Sequence, residues 1–166
     1  MNLQKNFVHI AMLTALTVTL SLFFIFPVPA TNGFVTLCEV GIYTAAYLLG
    51  PVGGFWVGAL SGGMIDLLSG YPQWIIFSVV IHGLQGALAG YFFQKDWPFK
   101  HWLALSSASL AMIVGYTLAT ALLYTWPAGI ASIFGNLVQN IFGSFLTVVL
   151  ISALQKIKLP IMKEGK

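Results

Sequence analysis

Long apolar runs separated by short polar breaks make up almost the whole chain, and the run lengths predict membrane-spanning helices. The first run covers about Phe7 to Phe26 and ends at Pro27-Val-Pro29. A polar, turn-rich stretch follows, Ala30-Thr-Asn-Gly33. From Leu37 to Ser69 the apolar character is nearly continuous, too long for one span of about 20 residues. Gly50-Pro51-Val-Gly-Gly54 divides it, because proline and glycine punctuate helices. The resulting segments, 37–50 and 51–69, include a first one short enough to need tilting, an earlier start or shielding by neighbours. Gly70-Tyr-Pro-Gln73 precedes a fourth run over 74–93, and Gln94-Lys-Asp-Trp-Pro-Phe-Lys-His101 forms a polar loop. A fifth run, 102–125, closes at Trp126-Pro127, and a sixth covers 133–154. The expectation is an all-α integral membrane protein, one domain over 1–166 with six transmembrane helices.

Composition sharpens this. Apolar residues make up 58% and charged residues 7%, against about 25% charged in ordinary globular chains. A net charge of +3 carried on helix flanks is no nucleic-acid signature. The first run lacks a small-residue cleavage site and is read as a retained helix rather than a signal peptide. Cys38 is the single cysteine, which excludes a disulfide framework and a paired-thiol metal site. No metal or cofactor is expected from the spacing of residues. No Gly-rich phosphate loop with lysine is present, so the chain cannot itself use ATP.

Lysine placement sets an orientation. There is no arginine; Lys5 precedes the first run, Lys95 and Lys100 lie in the central loop, and Lys156, Lys158, Lys163 and Lys166 follow the last run. The breaks at 27–36, 70–73 and 126–132 carry none. By the positive-inside rule both termini and the 94–101 loop are cytoplasmic. Trp74, Trp102 and Trp126 stand at segment ends, as interfacial anchors do; for Trp74 and Trp126 a pocket wall is an equal alternative.

Polar residues inside the runs fall toward the opposite, outer side. Glu39 begins the second segment, and Asp66 lies a turn from the outer end of the third. His82 is about 12 Å below Trp74, with Gln85 on the same face at i+3. Asn136 and Asn140 share a face of the sixth helix with Gln139 alongside, and Tyr116 and Thr120 occupy the fifth. An ionisable group in hydrocarbon costs at least about 2.5 kcal/mol, so these residues need partners, water or a ligand. Interhelical hydrogen bonds would satisfy them individually. Their convergence at one depth points instead to an outward-facing small-molecule pocket, with Tyr71, Trp74 and Tyr116 as its aromatic faces.

Small residues also recur at four-residue spacing, which lets helices approach closely in lipid. Gly54, Gly58 and Gly62 repeat on the third helix and Gly86 and Gly90 lie on the fourth; here internal packing is the favoured reading. For Ala11 and Ala15 on the first helix, packing and a partner-facing role stand level. Ser61 with His82 does not make a serine protease, since no oxyanion donors accompany them.

These features together resemble the substrate-binding S component of an energy-coupling factor (ECF) vitamin transporter. The resemblance is sharpest over Glu39-Val-Gly-Ile-Tyr43, Leu48-Leu-Gly-Pro51, Asp66-Leu-Leu-Ser-Gly-Tyr-Pro-Gln-Trp74 and His82-Gly-Leu-Gln-Gly86. That run is similar to the subgroup associated with hydroxymethylpyrimidine and pyridoxine-type substrates. Many of its members carry Asn-Leu-Gly before the acid and Lys-Gly in the fourth helix, where this chain has Thr36-Leu-Cys-Glu39 and His82-Gly83. The resemblance implies a vitamin receptor in a bacterial plasma membrane, assembled with a transmembrane T component and two cytoplasmic ATPases. It also implies that Ala11 and Ala15 face the T component. An autonomous homo-oligomeric channel or exchanger is the alternative, associating through the glycine faces. A lipid or isoprenoid enzyme would want acids or histidines at the cytoplasmic interface, where only His9, Asp96 and His101 lie.

No cation reaches the outer half, which favours a neutral or weakly basic heteroaromatic ligand. An acid accepts hydrogen bonds from an aminopyrimidine or pairs with a protonated pyridine nitrogen. Glu39→Gln is therefore expected to weaken ligand binding by more than a few-fold in a calorimetric titration; unchanged affinity would remove Glu39 from the site.

Overall fold

The computed structural model describes residues 3–28 and 33–157. Pro29, Ala30, Thr31, Asn32, Lys158, Pro160, Lys163 and Lys166, and the side chain of Lys5, lie outside the described residues. Helix α1 covers Leu3–Phe23 and ends before Pro27. Strand β1, Phe26–Val28, pairs antiparallel with β2, Gly33–Val35, with Phe26 opposite Val35 and Pro27 opposite Phe34. This ribbon was not legible as strand; proline is tolerated there because a two-stranded ribbon leaves outward N–H positions unpaired. Helices α2 (Cys38–Leu68), α3 (Ile75–Phe93), α4 (Lys100–Leu123) and α5 (Trp126–Ile157) follow, with a 3-10 turn at Pro72–Trp74 leading into α3.

Helix α2 is not straight. Gly50 sits at φ 72° and ψ −165°, a left-handed conformation that glycine adopts without a Cβ penalty, and Pro51 follows it. The consequence is visible across the bundle. Cys38 Sγ lies 3.9 Å from His82 Nε2, while a Cβ on Gly62 would lie 2.7 Å from the same ring. Twenty-four residues of straight helix would hold those positions about 36 Å apart. The two arms, 38–49 and 51–68, therefore fold back on one another, as the Gly50-Pro51 break predicts.

Helix α5 begins at Trp126 rather than at the expected 133. Thr125 Oγ1 accepts the N–H of Ala128 at 3.3 Å and Pro127 occupies the first turn, where its missing N–H costs nothing. The stretch read as a break is thus a capped helix start.

Among the described helices, α2 and α3 share the most extensive interface. A Cβ on Gly54 would strike the carbonyl of Gly86, and one on Gly58 would strike the carbonyl of His82. Without hydrophobic drive between helices in lipid, such backbone proximity supplies the packing. The glycine stripe is an internal seam.

Four helical stretches among the described residues are long and apolar enough to cross a membrane: Cys38–Leu68, Pro72–Phe93, Lys100–Leu123 and Trp126–Lys156. The apolar part of α1, Phe7–Phe23, is shorter. Large apolar side chains such as Phe23, Ile76, Leu122 and Phe134 face outward, while Glu39, Ser61, Gln85, Asn140 and Thr147 are buried. Polar inside and apolar outside is the arrangement a bilayer demands.

The bundle has two chemically distinct ends. Ile10 packs against Leu49, the Gly50 turn abuts Gln94, and Gln155 Nε2 donates to Tyr47 Oη at 2.8 Å. The start of α1, the 94–99 loop with Lys95, and the end of α5 with Lys156 therefore share one end. The β-ribbon and the turns at 69–74 and 124–125 share the other. Gly58→Val is expected to force α2 and α3 apart, costing about 1–3 kcal/mol or more. The detergent-solubilised protein should then unfold several degrees lower. Gly135→Ala, whose new Cβ would meet Val35 Cγ1 at an ordinary 3.7 Å, should unfold like the parent.

Candidate functional site

At the end opposite the lysines, a cavity of about 60 Å³ opens among the β-ribbon, both arms of α2, and α3, α4 and α5. The fold-back of α2 brings Cys38 and Asp66, one from each arm, to its wall. The short turn after α2 then drops Trp74 onto the same wall. Of the residues the sequence singles out, Asp66, Trp74, His82, Tyr116, Asn136 and Gln139 line the cavity. Glu39, Tyr71, Gln85 and Asn140 do not line it.

The second group has other positions. Gln85 Nε2 donates to Tyr43 Oη at 2.9 Å and to Asn140 Oδ1 at 3.2 Å. Tyr43 also donates to Asn140 Oδ1, at 2.8 Å. Asn140 Nδ2 in turn donates to the carbonyl of Asn136 at 2.9 Å. With its amide nitrogen so used, Gln85 keeps Oε1 as an acceptor, and His82 Nδ1 lies 2.7 Å away. This assigns the histidine proton to Nδ1 and leaves Nε2 to accept from Tyr116 Oη at 2.9 Å. Tyr116 then accepts from Ser78 Oγ at 2.6 Å. Gln85, Asn140 and Tyr43 form a saturated hub beneath the cavity that fixes the ring of His82.

Glu39 is fully buried beside this hub. Its Oε1 accepts from Gln139 Nε2 at 2.7 Å, and Gln139 Oε1 accepts the N–H of Thr36 at 2.8 Å. Gln139 thus ties the ribbon's exit and the start of α2 to α5. Tyr71 stacks edge-on against Phe34 of β2, ring centroids 5.0 Å apart, as support for the cavity rim.

Two polar groups in the wall behave differently. Asp66 is 4% exposed and its Oδ2 has no hydrogen-bond partner among the described residues; Trp74 is 5% exposed and its Nε1 has none among them either. Buried polar atoms are nearly always paired, so an unpaired acceptor and an unpaired donor on one cavity wall mark places for a ligand. Among the described residues, no lysine lines the cavity to neutralise Asp66.

Sequence reasoning passed over Thr36, Cys38, Met112 and Ser132 as cavity residues. The spacing of Met112, Tyr116 and Thr120 at i, i+4 and i+8 would have found the first of the α4 set. Ser132 was hidden by the late start assigned to α5. Thr36 and Cys38 carry no signal alone, because the β1–β2 pairing that brings the chain to the start of α2 is not expressed in local composition.

A helical membrane bundle holding a small, part-aromatic cavity with unpaired polar groups is a small-molecule receptor of the transport kind. The chain matches, over residues 1–156, the family described as ECF-type riboflavin transporter, S component. It is 38% identical over 147 residues to the thiamine precursor transporter HmpT of Lactococcus lactis subsp. cremoris (strain MG1363), covering 88% of this chain and 85% of that protein. It is 30% identical over 130 residues to an uncharacterized protein in the gap 3' region of Pyrococcus woesei, covering 78% of this chain and 86% of that protein. The chain belongs to the family of S components of ECF-type vitamin transporters.

Hub and wall are separable by mutation. Asn140→Leu strands a Gln85 amide proton and takes one acceptor from the Tyr43 hydroxyl, which keeps Ser109 Oγ at 3.1 Å, at about 1–3 kcal/mol for the buried unpaired group. Its thermal unfolding midpoint in detergent should fall clearly. Asp66→Asn removes an acceptor that has nothing to lose, and its midpoint should stay level or rise.

Proposed function

We propose that this S component binds a single-ring, amino- or hydroxymethyl-substituted nitrogen heterocycle, with hydroxymethylpyrimidine first and a pyridoxine-type vitamin second. The observation that carries this reading is the unpaired Oδ2 of Asp66 in a cavity wall that holds no cation among the described residues. A carboxyl there accepts from an exocyclic amine or pairs with a ring nitrogen. The Trp74 indole N–H suits a ring nitrogen or hydroxyl, and Trp74 and Tyr116, with ring centroids 5.8 Å apart, offer aromatic faces. The similarity to a thiamine precursor transporter supports the same choice.

The remaining features form a consistent picture of the subunit. The chain crosses the bacterial plasma membrane six times, the two arms of α2 counting separately, as a single domain. Both termini and the lysine-bearing loop are cytoplasmic, and the cavity faces outward. Ala11 and Ala15 lie exposed on α1 beside Met12 and Leu16, an apolar face of small residues for the T component. ATP hydrolysis belongs to two cytoplasmic partner subunits. The glycine faces that a homo-oligomeric channel would use for association are occupied inside the bundle by the α2–α3 seam.

The test uses the purified chain in detergent, titrated with hydroxymethylpyrimidine, pyridoxine and riboflavin while tryptophan fluorescence and heat are followed. One-to-one binding of the pyrimidine is expected, weakened at least about 10-fold by Asp66→Asn, the loss of about 1.4 kcal/mol. Tight riboflavin binding, or pyrimidine affinity untouched by Asp66→Asn, would overturn the assignment.

A further inference from the structure

Cys38 and His82 in the cavity wall and Glu39 just behind them are each buried, with one ligand atom apiece lying within 4.8 Å of the others. Cys38 Sγ is 3.5 Å from Glu39 Oε2 and 3.9 Å from His82 Nε2. Two ligands bound to one tetrahedral zinc at ordinary bond lengths of about 2.0–2.3 Å stand about 3.5 Å apart. The cluster is close to that spacing already.

We propose that these three residues bind a zinc-class divalent cation, with an open coordination position facing the cavity. Thiolate, imidazole and carboxylate form the mixed soft and borderline donor set that zinc accepts, and three protein ligands with one vacancy is its reactive or ligand-binding form. The outer support is present. His82 Nδ1 donates to Gln85 Oε1 at 2.7 Å, which fixes the tautomer and leaves Nε2 without a proton, 3.9 Å from Cys38 Sγ. Glu39 Oε1 is held by Gln139 Nε2 at 2.7 Å, which leaves Oε2 toward the same point.

Charge favours the same conclusion independently. Glu39 and Asp66 are both buried and, among the described residues, no lysine lines the cavity. Thiolate and carboxylate together offset a divalent cation, so the loaded cluster is neutral in a low-dielectric interior. Binding displaces the thiol proton of Cys38 to solvent. It also takes His82 Nε2 from Tyr116, whose hydroxyl keeps Ser78 as its partner at 2.6 Å. The unpaired Asp66 Oδ2 remains for whatever enters the cavity.

The probe is cobalt(II), added to chelator-stripped protein in detergent with no vitamin present, so the outcome does not depend on the proposed substrate. Because Cys38 is the single cysteine, a thiolate-to-cobalt charge-transfer band reports this site alone. One equivalent per chain is expected, with intense tetrahedral visible bands, displaced by zinc. Cys38→Ser should abolish the charge-transfer band. Glu39→Gln should weaken cobalt binding at least about 10-fold, and Gln139→Leu by about 10- to 100-fold through loss of support. Absence of the band in the parent protein, a band unaffected by Glu39→Gln, or cobalt bound equally by Cys38→Ser would each overturn the proposal.

Discussion

The approach of two helix backbones, arm 51–68 of α2 and α3, is the constraint on which the rest of the structure depends. Gly54 and Gly86 face one another so closely that neither tolerates a side chain, and Gly58 rests on the carbonyl of His82. In lipid, burying apolar surface between helices gains little, so the helices are held by close packing and by polar bonds across them. Closeness at this seam is what carries His82 to Cys38 on the other arm of α2. It also brings Asp66 and Trp74 to the same wall. A wider seam would leave the histidine ring without the hub that orients it and the cavity without a floor.

The second organising fact is the unequal satisfaction of buried polar groups. Tyr43, Gln85 and Asn140 close a loop of hydrogen bonds with every strong donor and acceptor used. Such saturated clusters rigidify a bundle from which water is excluded. A few ångströms toward the open end, Asp66 Oδ2 and Trp74 Nε1 are left unmatched. One polar set therefore belongs to architecture and the other to recognition, although both are equally buried. Cys38, Glu39 and His82 sit at the boundary between them: Cys38 and His82 line the cavity, His82 is oriented by the hub, and Glu39 is held behind them by Gln139.

Much of this was readable from the chain. The breaks at Gly50-Pro51, 70–73 and 94–101 follow from residues that cannot continue a helix, and the helices end there. The lysine distribution anticipates two unlike ends, because a charged ammonium cannot remain in hydrocarbon. Six of the ten residues selected as ligand contacts do line the cavity. The misplacements have physical causes: Thr125 and Pro127 start α5 early, and the ribbon at 26–35 depends on cross-strand pairing that local composition does not express.

Residue type and periodicity by themselves determined the class of environment, the helical segments, their alternation and the depth at which polar groups concentrate. These are local properties, set by what each stretch of chain can do in hydrocarbon or in water. Tertiary structure alone decided which polar residues pair with one another and which face empty space. Gln85 and Asp66 look equally eligible in the sequence. Only the rotation of each helix about its axis, dictated by the glycine seam and the fold-back at Gly50, turns Gln85 into the hub and leaves Oδ2 of Asp66 unmatched among the described residues of the cavity wall.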